Sequence, residues 1–213
     1  MKKIVQAIAA GLLITPVISQ ASLITSAPIG GSTTVLSTVT GTWSSAPSVV
    51  AGGYSVFAPV GEEVWYGDSS YSLIDNGSWS DFAWIGGYCY SGSCTATIDL
   101  GGSYSAVGGF MNYATGHGSA TISAIAADGT TVLESYDLTT LAPISTPGGL
   151  NAGDFRGIER GTSDIAFLQL SGSYLIAHDL TVSPIPEPET YAMLLAGLGL
   201  LGFMARRRTE SAV

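Results

Sequence analysis

From residue 22 to residue 183 no stretch carries an apolar stripe of helical period; short apolar runs alternate instead with Gly, Ser, Thr and Asp-Gly. Such a segment hides its apolar side chains between sheets, so the pattern predicts an all-β fold, an antiparallel β-sandwich of jelly-roll-like kind. Residues 95–100 alternate strictly, with Ala96, Ile98 and Leu100 on one face. Residues 33–40 read as a strand rich in Thr and Val, and Val64-Trp65-Tyr66 and residues 71–74 read as two more, separated by Gly67-Asp68. Residues 120–126 and 130–136 flank Asp128-Gly129, which predicts a hairpin with positive φ at both central turn positions. A second hairpin is expected between residues 164–171 and 174–182, turning at Gly172-Ser173. This is one domain, long enough to bury a core without staples.

Charge narrows the partners. Of seven basic residues, Lys2, Lys3, Arg206, Arg207 and Arg208 lie at the two ends, leaving Arg156 and Arg160. Of sixteen acidic residues only Glu187, Glu189 and Glu210 lie in the tail, leaving thirteen and a net of −11 for the domain. A surface this acidic repels phosphate, so nucleic acid is not an expected partner, while neutral sugars and calcium are tolerated. Cys89 and Cys94 are spaced for a small disulfide loop, which suits an oxidising compartment and would set a local turn.

The two ends read as export signals. Met1-Lys2-Lys3 is a positive n-region, residues 4–18 are an apolar h-region, and Ser19-Gln20-Ala21 places cleavage after Ala21, with the Sec translocon as the partner. At the other end, Pro184-Ile185-Pro186-Glu187-Pro188-Glu189 precedes an uncharged apolar stretch over 191–205, then Arg206-Arg207-Arg208 and a cytoplasmic tail over 209–213. The arginines stay inside by the positive-inside rule, which puts the domain outside the cytoplasmic membrane. The expected transmembrane helix over 191–205 is short of the roughly twenty residues of a full span, which implies bilayer thinning, snorkelling arginines or a temporary anchor.

Pro186-Glu187-Pro188, the Gly-rich apolar stretch and the Arg cluster, together residues 184–208, resemble the PEP-CTERM sorting signal of Gram-negative bacteria. The resemblance implies recognition by exosortase, processing near the Pro-Glu-Pro motif and delivery to the cell surface or extracellular matrix. A weaker resemblance covers residues 79–182. Thr97-Ile98-Asp99-Leu100-Gly101-Gly102 and Val107-Gly108-Gly109-Phe110 are similar to a stretch of galactose-binding-like, discoidin-type jelly rolls. That likeness implies ligands held on loops at one end of the sandwich.

Trp65, Tyr66, Tyr71, Trp79, Phe82, Trp84, Tyr88 and Tyr90 crowd one stretch, interleaved with Asp68, Asp75, Asn76 and Asp81. Aromatic faces stack on sugar C–H surfaces and neighbouring carboxylates or amides bind hydroxyls. Tyr71, Trp79, Tyr88, Tyr90, Asp75, Asn76 and Asp81 are therefore the candidate ligand-binding residues, whereas Trp65 and Trp84 are expected in the core. His117 sits in a glycine-flanked turn. His178 shares strand parity with Ile176, Leu180 and Val182, which predicts an inward-facing, hydrogen-bonded imidazole. No Gly-x-Ser-x-Gly elbow frames a serine, and Glu62 and Glu63 are adjacent and point to opposite faces of a strand. No catalytic residue is expected. Asp75-Asn76-Gly77 and Asp128-Gly129-Thr130 read as turns rather than calcium loops, so no metal or other cofactor is expected. The pattern points to a non-catalytic surface or matrix protein, possible ligand exopolysaccharide. The alternatives are a structural matrix component without a specific ligand and an extracellular glycan hydrolase.

Overall fold

The computed structural model describes residues 21–28, 30–36, 43–79, 82–88, 94–172, 174–184, 195–199 and 201. In chain order the early strands are β1 (Ser22–Ile24), β2 (Ser32–Thr34), β3 (Ser44–Ala46), β4 (Ser48–Ala51), β5 (Tyr54–Phe57), β6 (Glu63–Gly67), β7 (Tyr71–Ser72) and β8 (Ser78–Trp79). The later ones are β9 (Trp84–Tyr88), β10 (Thr95–Tyr104), β11 (Ala106–Asn112), β12 (Ala120–Ile125), β13 (Val132–Asp137), β14 (Leu150–Asn151), β15 (Asp154–Glu159), β16 (Ile165–Gly172) and β17 (Ile176–Ser183). A 3-10 turn spans Ile74–Asn76, and one short helix, α1, spans Leu138–Leu141, capped by the Asp137 carboxylate on the Thr139 amide.

Two antiparallel sheets carry the fold. The first runs β1-β15-β11-β17-β9-β6-β3, with β2 also on β17; the second runs β13-β12-β16-β10-β5-β4. The period-two pattern is what closes them. Ala96, Ile98 and Leu100 of β10 are buried as expected, and Ile122, Ala124, Leu168 and Leu170 join them from β12 and β16. Val107, Ile158, Ala177, Leu180 and Val182 meet them from the opposite sheet, forming one aliphatic core between the layers.

Two expected hairpins come out differently. The β12–β13 hairpin forms, but only Gly129 has positive φ, at 72°. The Gly129 amide donates to the Ala126 carbonyl at 3.0 Å, and the Ala126 amide donates to the Thr131 carbonyl at 2.9 Å. This is a longer loop built round an ordinary turn with one left-handed glycine, not the two-residue mirror-image turn. Its closing element is the Asp128 carboxylate, which accepts the Thr130 and Thr131 amides and the Thr131 hydroxyl.

The expected β16–β17 hairpin does not form. β16 pairs with β10 and β12, whereas β17 pairs with β11, β9 and β2, so the two strands belong to different sheets. Gly172 has φ 135°, and a Cβ there would stand 2.1 Å from the Ser119 carbonyl oxygen, which leaves room only for glycine.

β17 itself changes face partway. Gly108 is opposite Thr181 and Phe110 is opposite His178, so Asp179 and Leu180 together face the single residue Gly109. Asp179 adopts φ 48°, a left-handed conformation that a short polar side chain tolerates, and the strand bulges there. Ala177 on one side of the bulge and Leu180 and Val182 on the other all reach the main core. Ile176 therefore points to the outer face, where it packs in a second cluster with Leu73, Trp79 and Trp84. His178 follows Ile176 in parity and not Leu180.

A small third sheet, β14-β8-β7, with β14 parallel to β8, supplies part of that cluster. Of the predicted helix over 191–205 the structure describes 195–199 and 201, all helical and exposed. No helix among the described residues is long and apolar enough to cross a membrane. Of the expected strand over 33–40, Thr33 and Thr34 belong to β2 and residues 37–40 lie outside the described residues, as do residues 1–20 and the Pro-Glu-Pro and Arg segments.

Candidate functional site

The outer face of the first sheet is where the chain gathers its aromatic side chains. Leu73, Trp79, Trp84 and Ile176 are fully buried there, with Trp65 and Tyr71 packed on them. Trp84 anchors the group by donating from Nε1 to the Ser69 carbonyl at 3.1 Å. Trp84 is thus in a core, as expected, although in this second core rather than the one between the sheets.

From this buried base a strip of rings runs to the surface. Trp43 lies 5.4 Å from Trp65, Trp65 lies 5.8 Å from Tyr71, and Tyr71 lies 6.4 Å from Tyr174, centroid to centroid. Tyr174 in turn meets His117 edge to face at 5.2 Å. Trp43 is 57% exposed and Tyr174 38%, so the strip is open at both ends and half-buried in its middle. Burial pushes the Tyr71 phenol well above the ordinary tyrosine range, and Tyr174 adds to the shift.

Beside the strip is a closed polar network. The Asn76 amide donates to Asn112 Oδ1 at 2.9 Å and to the Tyr113 and Ile144 carbonyls at 3.0 Å. Its own Oδ1 accepts the Thr146 amide at 2.9 Å. Asn112 donates to Thr146 Oγ1 at 2.9 Å and to Asn151 Oδ1 at 2.8 Å. Three asparagines and a threonine thus sew the 3-10 turn, the end of β11, the 142–150 segment and β14 together.

The predicted ligand residues separate accordingly. Tyr71 stands in the strip. Asn76 is 2% exposed and its amide is fully committed inside, so it has nothing to offer a ligand. Trp79 is completely buried and presents no stacking face. In both cases the fold used a polar or aromatic group to close a second core, which local sequence does not distinguish from surface display. Asp75 is exposed on the 3-10 turn, next to Asn76. Tyr88 pairs with Glu63 through its backbone. Asp81, Tyr90 and Cys89 lie outside the described residues; Cys94 is buried. Sequence reasoning missed Trp43 and Tyr174 as strip members because each stands alone, far from the aromatic-rich stretch. The available signal was an isolated large ring set among Gly, Ser and Thr.

His178 is 3% exposed, as its burial was expected, but it sits on the outer side of the sheet among rings. Phe82 and Phe110 stack on it at 4.7 and 5.2 Å, and Trp79 meets it edge to face at 4.9 Å. Nε2 lies 3.3 Å from the Ala152 carbonyl. Nδ1 is 3.1 Å from Asp179 Oδ2 but outside hydrogen-bond geometry, so it has no hydrogen-bond partner. With Nε2 on a backbone carbonyl, this His-Asp pair is not set up as the base of a nucleophile.

Both arginines of the domain are structural. Arg156, 7% exposed, donates to the Ala142, Phe155 and Pro143 carbonyls at 2.8, 2.8 and 2.9 Å. Arg160 forms a two-pronged pair with Asp164 at 2.8 and 3.0 Å and reaches Glu134 at 2.8 Å. Their charge is spent inside the fold, which leaves the surface to the acids. Among the described residues no three His, Cys, Asp or Glu side chains come together as a metal site. The Asp128 carboxyl, held at about 2 by its hydrogen bonds to Thr131 and Thr130, is occupied by its own turn.

Residues 184–208 match a family model described as the PEP-CTERM protein-sorting motif. The motif marks an exported protein that exosortase recognises and that is processed at a membrane. No curated protein and no solved structure matches the chain, so the discoidin-type resemblance of residues 79–182 gains no support.

Proposed function

We propose that this is a cell-surface or matrix protein whose sandwich binds exopolysaccharide without catalysis, along the strip Trp43–Trp65–Tyr71–Tyr174–His117. The supporting observation is the spacing of the rings, each 5.2–6.4 Å from the next and exposed at both ends of the row. Stacking needs flat apolar faces more than charge, and it suits a neutral polymer facing an acidic domain. In this reading the leader is removed after Ala21, the helix over 191–205 holds the chain in the membrane of a Gram-negative cell, and Cys89 and Cys94 form a disulfide next to β10.

Titration calorimetry of the exported protein against purified exopolysaccharide from the producing cell tests the binding. Saturable heat is expected, with each of Trp43→Ala and Tyr174→Ala weakening affinity about tenfold, or ~1.4 kcal/mol. Binding that both variants leave unchanged sinks the strip as the site. No binding by the parent protein favours a matrix component that acts through its bulk rather than through a ligand.

A further inference from the structure

Beside the β10-β5-β4 edge of the second sheet lies a cleft of about 370 Å³. Thr34 of β2, the β4–β5 turn and the β10 segment that starts at Asp99 build it, and it shares no residue with the aromatic strip.

Left-handed glycines shape it. β4 and β5 pair from Ser48 opposite Phe57 through Ala51 opposite Tyr54, so Gly52 and Gly53 are the central residues of the turn, at φ 59° and 88°. Both are positive, as the mirror-image two-residue turn requires. A Cβ on Gly52 would stand 2.8 Å from the Val35 carbonyl oxygen, so the turn is pressed against the chain that follows β2. A Cβ on Gly53 would meet no atom within 4 Å. The second wall comes from β10, which bulges away from β16. Asp99 is opposite Phe167 and Tyr104 is opposite Ile165, five steps along one strand against two along the other. Gly101 in this bulge has φ 68°, and a Cβ there also meets nothing within 4 Å.

The polar groups of the cleft are only partly committed. Asp99 is half-buried; its Oδ1 accepts the Gly101 amide at 2.9 Å, and its Oδ2 takes no hydrogen bond among the described residues. Tyr54 packs against the main core and donates its hydroxyl to Thr34 Oγ1 at 3.4 Å. Ser55, opposite Asp99, is exposed.

This set of groups selects its ligand. Among the described residues that line the cleft Asp99 carries the sole charge, so phosphates and sugar acids are repelled. One carboxylate falls well short of the roughly six to eight oxygens of a calcium site. A simple ammonium would use the carboxylate and leave the Ser55 and Thr34 hydroxyls idle. A neutral polyol uses all of them: the carboxylate accepts, the hydroxyls donate or accept, and the tyrosine ring covers C–H groups. Small-molecule sites span about 300–1,000 Å³, and this cleft is at the low end, which suits a single sugar ring rather than a length of chain.

We propose that the cleft binds one neutral pyranose unit. Asp99 Oδ2 and the Ser55 and Thr34 hydroxyls hold its hydroxyl groups, and the Tyr54 ring is its apolar wall. With no residue in common, this site stands or falls independently of the strip.

The test is saturation-transfer NMR on the full chain in a sugar-free detergent, with the methyl pyranosides of glucose, galactose, mannose and N-acetylglucosamine as probes. At least one is expected to give a transfer signal, and anionic methyl glucuronide none. Asp99→Asn keeps an acceptor for the Gly101 amide but turns the free carboxylate oxygen into an amide donor, and it should cut the signal about fivefold or more. Ser55→Ile, at an exposed strand position that suits a β-branched residue, should do the same by filling the mouth of the cleft. Trp43→Ala combined with Tyr174→Ala separates the two sites. A signal that survives this pair and falls with Asp99→Asn and Ser55→Ile belongs to the cleft. Displacement of the probe by exopolysaccharide then assigns the unit to that polymer, and failure to displace it assigns a free sugar. No signal from any probe, or a signal that persists in both Asp99→Asn and Ser55→Ile, overturns the site.

Discussion

The two cores of this domain are built on opposite terms. The one between the sheets is aliphatic: Ile98, Ile122, Leu168 and Leu170 are fully buried there, and the flanking strands satisfy their own backbone groups. The one on the outer face is aromatic and polar. It holds Trp79, Trp84, Tyr71 and, beside them, His178, together with three buried atoms lacking a hydrogen-bond partner: Tyr71 Oη, Trp79 Nε1 and His178 Nδ1. Native interiors leave few such groups unmet, because each costs about 1–3 kcal/mol. The outer core therefore gives up part of the stability that its buried rings supply, while holding those rings in fixed positions.

Leu168→Ala strikes at the inner core. It removes a fully buried side chain from the centre of β16 and should cost about 3 kcal/mol in urea unfolding. A loss under 1 kcal/mol would mean that the inner core is looser than its burial shows.

Asn76→Ala attacks the satisfied part of the outer face. It withdraws donors from two carbonyls and from Asn112 and an acceptor from the Thr146 amide, and about 2 kcal/mol is the expected loss. An unchanged midpoint would show that water replaces the side chain without penalty, and the contrast with the unpartnered atoms would disappear.

Tyr71→Phe sharpens the comparison from the other side. It deletes a buried hydroxyl that has no partner, so stability should hold or rise by up to about 1 kcal/mol at neutral pH. The sign at alkaline pH follows from the raised phenol. The unfolded chain ionises first, near the ordinary value of about 10, while the folded one stays neutral. The stability this tyrosine contributes is complete below about pH 10 and is lost as pH climbs through the folded-state value. Tyr71→Phe should remove part of the alkaline fall; identical alkaline unfolding curves for the two proteins would refute the buried phenol.

Much of the inner core is legible in the sequence alone. The alternation of Ala96, Ile98 and Leu100 needs only the two-residue period of a strand. The outer face was not legible, because the features that read as a binding site there, Asn76 and Trp79 above all, are what closes a second core. Nothing in a run of aromatics and asparagines states whether a third sheet will cover them.

The sequence by itself determined the fold class, the places where the chain must turn and the sorting segment at 184–208, because turn residues, side-chain period and a linear motif are local properties. Tertiary structure alone decided that β16 and β17 join different sheets, that a bulge at Asp179 sends His178 outward, and that Trp43 and Tyr174 extend one strip. The reason is physical. Which strand pairs with which, and which face it turns to a core, depends on the free energy of burying whole faces at once. A bulge one residue long reverses that assignment for every side chain before it.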